Sequence, residues 1–69
     1  MAEGDRRVRP SQRGGWEVLF DEDQKAASHH QTDAQARAWA RATIRHQEGS
    51  GTIRIQDRHG HVREERVEG

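Results

Sequence analysis

Large apolar side chains are so scarce in this sequence that it can build only a thin core. Besides Met1 there are eleven: Val8, Trp16, Val18, Leu19, Phe20, Trp39, Ile44, Ile53, Ile55, Val62 and Val67. Alanine supplies much of the remaining apolar content. Spread over 69 residues, this stock suits a single layer of contacts, with one helix laid on one face of a sheet. A chain of this length is one domain, near the lower limit for a core held without staples. The absence of cysteine removes disulfides and thiolate metal sites. The expected stability lies at the low end of the usual ~5–15 kcal/mol.

The patterning places the elements. Residues 1–5 are small and polar and are expected to form a disordered tail. Residues 6–66 make up the single α+β domain, and residues 67–69 a frayed C-terminus. Arg7-Val8-Arg9 alternates polar and apolar, as in a short edge strand ended by Pro10. Ser11–Gly15 is turn-rich, with the Gly14-Gly15 pair available for positive φ. Trp16–Phe20 is the clearest strand, with Trp16, Val18 and Phe20 on one face. Asp21–Gln24 reads as a polar turn, and Lys25–His30 as a third strand of poor apolar content.

Thr32 is a good N-cap, and Gln35 three residues on completes a capping-box pattern. Asp33 puts negative charge at the positive end of the helix dipole. The spacing predicts a helix within 32–48, ended by Gly49-Ser50-Gly51, with Ala36, Trp39, Ala40, Thr43 and Ile44 as its apolar stripe. The small alanines let it lie close to the sheet, over Trp16 as the expected centre of the core. Thr52–Gln56 alternates with Ile53 and Ile55 facing together, Asp57–Gly60 is a hairpin turn, and His61–Arg66 returns with Val62 inward. The order is β-β-β-α-β-β. The sheet is expected to be mostly antiparallel because the β–β links are short.

Several of these residues together resemble a known pattern. Pro10, Gly15-Trp16 and Val18 stand in the first hairpin, Ser28, His29 and Thr32 before the helix, Ala36 and Ala40 on it, and Gly60 and Val62 in the last hairpin. In this order and spacing the chain resembles the small bacterial domain-of-unknown-function family numbered 2188, from about Val8 to Glu65. The resemblance implies a helix packed on a small sheet, and no activity. The family usually carries Asp-Gly in the final turn, where this chain has His59-Gly60. Both Asp and His tolerate positive φ better than most residues, so the turn is expected to form.

No motif announces an enzyme. The chain lacks a Gly-x-Ser-x-Gly elbow, a phosphate loop and a dinucleotide fingerprint. Ser28, His30 and Asp33 could be drawn as a triad, but any polar chain of this length offers such a trio. His29 and His30 are adjacent and point to opposite faces of a strand. His59 and His61 lack the further ligands of a zinc site. Asp21-Glu22-Asp23 lacks the alternating oxygens and closing glutamate of a calcium loop. No catalytic, cofactor or metal site is therefore expected. No apolar run approaches the ~18–20 residues of a membrane span, and Met1–Arg9 reads as neither a signal nor a transit peptide. Cytoplasmic residence without membrane contact follows by default.

Arginine outnumbers lysine eleven to one while the formal net charge is zero. Arg37, Arg41 and Arg45 recur at a spacing of four, on one side of the helix. Arg6, Arg7, Arg9 and Arg13 form a second basic group. Guanidinium groups hold phosphate and carboxylate through planar forks of donors. The expectation is a non-enzymatic interaction module. Arg37, Arg41 and Arg45 would contact nucleic-acid phosphates or an acidic protein surface, helped by Arg7 and Arg9. The plain alternative for the stripe is a solvated helix face, with Arg37 or Arg41 paired to acids such as Asp33. The alternative for the whole chain is a homodimer joined through a sheet edge, with no ligand.

Overall fold

The computed structural model describes residues 4–20 and 26–68. The acidic turn at 21–24 and the start of the expected third strand, Lys25, lie outside them. The elements are β1 (Gly4–Pro10), β2 (Trp16–Phe20), β3 (Ser28–His30), α1 (Asp33–Gln47), β4 (Gly51–Gln56) and β5 (Val62–Val67). The expected order β-β-β-α-β-β is the observed one, and the fold is α+β: one helix on a five-stranded mixed sheet ordered β3-β2-β1-β4-β5. The pairs β1–β2, β2–β3 and β4–β5 are antiparallel, while β1–β4 is parallel. A parallel pair needs a crossover, and β2, β3 and α1 supply it.

Four expectations are corrected here. β1 is the central strand, not a short edge strand. It looked short because Arg6, counted as polar, is 2% exposed and faces inward. It also begins inside the tail expected for residues 1–5, since Gly4 and Asp5 pair with Gly51 and Thr52. At the other end Val67 is 2% exposed and belongs to the core, not to a frayed terminus. Val62 is 60% exposed. Ladder parity explains both valines, because Ile53 stands across from Glu65 and Gly51 from Val67, which turns Val62 to the face away from α1.

The helix begins as its sequence requires. Thr32 Oγ1 accepts the Gln35 N–H at 3.1 Å. The Gln35 side chain reaches back to the N–H of Gln31 (3.2 Å), one residue before the usual capping-box target. At the far end Glu48 N–H and Gly49 N–H both donate to Ile44 C=O at 2.8 Å, with Gly49 at φ +85°. Ala36, Ala40 and Ile44 bury their stripe against Val8, Val18, Ile53, Ile55 and Val67. Trp16 is therefore not the centre of the core. It pairs with Pro10 at the end of β1, packs against the cluster half-buried, and carries the Arg58 guanidinium 5.5 Å from its ring centroid. Trp39 covers the margin, its ring centroid 6.4 Å from that of Phe20 and 5.9 Å from that of His30.

Two polar crossings tie α1 to the sheet. The Arg6 side chain donates to Thr43 Oγ1 (3.2 Å), Gln47 Oε1 (3.0 Å), Glu48 Oε2 (2.9 Å) and the carbonyl of Asp5 (3.0 Å). It also stacks over the Phe20 ring, 4.3 Å from its centroid. A cation here suits the negative end of the helix dipole. The second crossing runs from Arg37 and Arg41 to Glu65 on β5.

The loops depend on local chemistry. Gly15 has φ +74°, and a Cβ built on it would lie 2.5 Å from the carbonyl oxygen of His30. Only glycine fits this close approach. Gly14 also has positive φ (+93°), but open space surrounds it. In the β4–β5 loop, Asp57 N–H donates to His61 C=O (2.9 Å) and Gly60 N–H to Asp57 C=O (3.2 Å), with Gly60 at φ +86°. Asp57 Oδ1 accepts the N–H groups of His59 (2.8 Å) and His61 (2.9 Å). These bonds hold the Asp57 carboxyl below the ordinary carboxylate range. The His61 N–H is the largest cause, the His59 N–H and the His61 ring assist, and desolvation opposes them.

Three outcomes follow. Arg6→Ala empties a buried side chain and its contact with Phe20, so it should cost about 2–5 kcal/mol, whereas Arg6→Met, which refills the volume and leaves Glu48 to water, should cost less. Equal losses in urea denaturation would contradict the clamp. Gly15→Ala should destabilise clearly more than Gly14→Ala, because only Gly15 adds a backbone clash to the strain of positive φ. Since the folded pKa of Asp57 is depressed, its contribution should be full above about pH 4 and fade as pH falls through the folded value. A carboxyl NMR titration should place the Asp57 midpoint below that of an unstructured aspartate, and a midpoint at or above it would refute the assignment.

Candidate nucleic-acid interface

The structure divides the five arginines singled out from the sequence between opposite sides of the sheet. Arg37, Arg41 and Arg45 share one side of α1, as their spacing requires. Two of them converge on one acid. Glu65 Oε2 accepts from Arg41 Nη2 (2.7 Å) and Nε (3.3 Å), while Arg37 Nη1 stands 3.9 Å from Glu65 Oε1. Arg37 also lies 4.0 Å from Asp33 Oδ2, one turn earlier. These two guanidiniums hold β5 to α1. Arg45 is exposed and forms no ion pair with a described residue. The stripe therefore presents one exposed arginine rather than three equivalent ones. With Val62 as the inward residue of β5, Glu65 would face outward and could not reach them; the ladder with β4 turns it inward instead.

Arg7 and Arg9 stand on the face of the sheet that no helix covers. In β1 the residues facing α1 are Arg6 and Val8, so Arg7 and Arg9 face the other way. Arg7 is the direct lateral neighbour of Arg54 on β4. Like charges side by side on one face oppose sheet formation unless other groups offset them. Arg9 Nε donates to Glu17 Oε1 at 2.6 Å.

Three shallow depressions on this side meet at Arg9 and Gln56. One is bounded by Arg7, Arg54 and Val62. The second runs along the β1–β2 loop past Glu17, Ser11, Gln12 and Arg13 to His29. The third passes Pro10 to Asp57, Arg58 and Gly60. Among the described residues their walls carry Arg7, Arg9, Arg13, Arg54 and Arg58, the last with its guanidinium over Trp16, and two carboxylates, Glu17 and Asp57. Arginines of a chain of zero formal charge thus gather on one surface, where Glu17 pairs with Arg9 and Glu64 stands across from Arg54. The sequence signal for it was the same period-two alternation that gave the strands. No short-range signal brings Arg54 and Arg58 near Arg7 and Arg9, because their approach depends on the parallel β1–β4 pairing.

The loop that carries Arg13 is fixed in place. Ser11 N–H donates to Gly15 C=O (3.0 Å), Gly14 N–H to Ser11 C=O (3.1 Å), and Arg13 N–H to Ser11 Oγ (3.2 Å). His29 Nε2 donates to the Gly14 carbonyl at 2.9 Å, pinning the loop to β3. Elsewhere Ser28 Oγ and His30 Nε2 lie 2.8 Å apart on β3. Asp33 is not their third member, since its carboxylate faces Arg37. His61 Nδ1 lies 3.3 Å from Asp57 Oδ2, and the rings of His59 and His61 are 6.4 Å apart. Among the described residues, no three His, Cys, Asp or Glu side chains come together to hold a metal ion. No helix among them is long and apolar enough to cross a membrane.

No curated protein and no solved structure matches this chain. One family does, over residues 6–67, from the inward Arg6 of the central strand to the buried Val67 of the last: the chain belongs to the bacterial family described as "Uncharacterized protein conserved in bacteria (DUF2188)".

Proposed function

We propose that this domain is a non-enzymatic cytoplasmic module that binds the phosphate backbone of nucleic acid, weakly and without sequence preference. The contact surface is the uncovered sheet face and its adjoining loops, centred on Arg7, Arg9 and Arg54. The observation that supports this reading is the meeting of three depressions at Arg9 and Gln56, with five arginines on their walls. Guanidinium forks suit phosphate oxygens, and a surface several strands wide can track a backbone. The zero formal charge of the chain limits long-range attraction, so binding is salt-sensitive and modest. Arg37 and Arg41 then serve chiefly as structural partners of Glu65, and Arg45 is the one residue of the helix stripe left for an outer contact. Among the described residues no Trp or Phe lies on this face, which disfavours base stacking as the main attraction.

Titration of labelled duplex and single-stranded DNA and RNA at low salt tests the reading. Replacing Arg7, Arg9 and Arg54 together by glutamine should weaken binding and lower the log–log salt slope by roughly 2–3, at about 0.7–0.9 per lost phosphate contact. Arg45→Gln should change the slope by at most about one such contact. Undiminished binding by the triple variant, with its circular dichroism unchanged, would exclude the sheet face. No binding by the parent chain would exclude nucleic acid and point to an acidic protein surface as the partner.

A further inference from the structure

Three residues form one row across the uncovered face of three adjacent strands. Arg9 on β1 stands across from Glu17 on β2, and Glu17 across from His29 on β3. Arg9 Nε donates to Glu17 Oε1 at 2.6 Å, and the Glu17 side chain is only 18% exposed. Glu17 is thus an acid with a guanidinium on one flank and an imidazole on the other. Its direct neighbours along the row are the pairs that interact most in a sheet. Among the described residues, the charged groups that share the β1–β2 loop depression with His29 are Arg9, Arg13 and Glu17. The helix lies on the opposite side of the sheet.

The protonation of His29 is constrained by its bond to the loop. A carbonyl oxygen only accepts, so the 2.9 Å contact with Gly14 C=O puts a proton on Nε2 in the neutral ring. A second proton therefore enters at Nδ1, and the bond that pins the loop survives. Histidine is the side chain whose charge ordinarily changes between about pH 5 and 8.

We propose that protonation of His29 draws Glu17 away from Arg9 and so opens Arg9 to an outside phosphate. With His29 neutral, Arg9 meets the full charge of Glu17. With His29 charged, the same carboxylate lies between two cations and divides its charge and lone pairs between them. Its hold on Arg9 weakens. The depression gains charge as well. Among its described residues two arginines stand against one carboxylate, a balance of +1, and the protonated ring raises it to +2. Phosphate binding on this face therefore strengthens as pH falls through the titration of His29. The ligand in this inference rests on the nucleic-acid reading, whereas the exchange of Glu17 between Arg9 and His29 needs no ligand.

Two measurements between about pH 8 and about pH 5.5 test it, the range in which histidine titrates. In the NMR spectrum of the free chain, the Arg9 Nε–H resonance should move with the same midpoint as the His29 ring signals. It should stay fixed in His29→Gln. An Arg9 resonance that ignores the His29 titration overturns the proposal. At low salt, labelled duplex and single-stranded DNA and RNA should bind the parent about two- to fivefold tighter at the acid end, the worth of one exposed charge contact. His29→Gln should lose that gain, and His46→Gln, altered on α1, should keep it. Glu17→Gln leaves Arg9 without this acid at every pH. It should bind at the alkaline end about as the parent binds at the acid end, and change little between them. This variant also carries the test if circular dichroism shows that His29→Gln disturbs the fold. A full pH response in Glu17→Gln would reduce His29 to an added charge and overturn the exchange. If the parent binds no nucleic acid at any pH while Arg9 still follows His29, the nucleic-acid reading falls and the exchange stands.

Discussion

The buried Arg6 guanidinium is the interaction on which the rest of this small structure depends. It sits on the central strand, is 2% exposed, and reaches the last turn of α1 through Thr43, Gln47 and Glu48. A buried cation is tolerable only when its donors are satisfied, and the Asp5 carbonyl and the Phe20 ring complete its surroundings. A core built from valines, isoleucines and alanines has little area to orient a helix by itself. Directional hydrogen bonds add the specificity that apolar burial cannot.

Arg6 has a counterpart of opposite sign. Along one row of the sheet Phe20, Arg6, Ile53 and Glu65 stand side by side on the helix face. The cation in this row binds acceptors near the end of the helix, and the acid binds cations on its earlier turns. The helix is thereby fixed at two points with reversed polarity. Sliding it along its axis would break both. This arrangement occupies Arg6, Arg37 and Arg41 on the helix side, while Arg7, Arg9 and Arg54 stand on the other face of the sheet. Among the described residues no helix covers that face. It carries mostly polar and charged side chains, yet Leu19 beside Arg7 is fully buried there.

Local chemistry in the sequence determined much of this protein by itself. Thr32 and Gln35 marked the start of the helix, Gly49 its end, and the spacing of Ala36, Ala40 and Ile44 its buried stripe, because capping and helical periodicity act over a few residues. The alternation of Trp16–Phe20 and of Ile53 with Ile55 marked strands for the same reason. Tertiary structure alone decided the parallel pairing of β1 with β4, which made a strand that reads as an edge into the centre of the sheet. It also decided which face of β5 turns inward. The valines at its two ends, Val62 and Val67, have opposite parity, so the strand's own pattern cannot choose between them, and the ladder with β4 does. From that choice came the partner of Arg37 and Arg41, the exposure of Val62, and the gathering of Arg7, Arg9 and Arg54 on one surface. Pairing and parity join residues far apart in the chain, and no short-range signal carries that information.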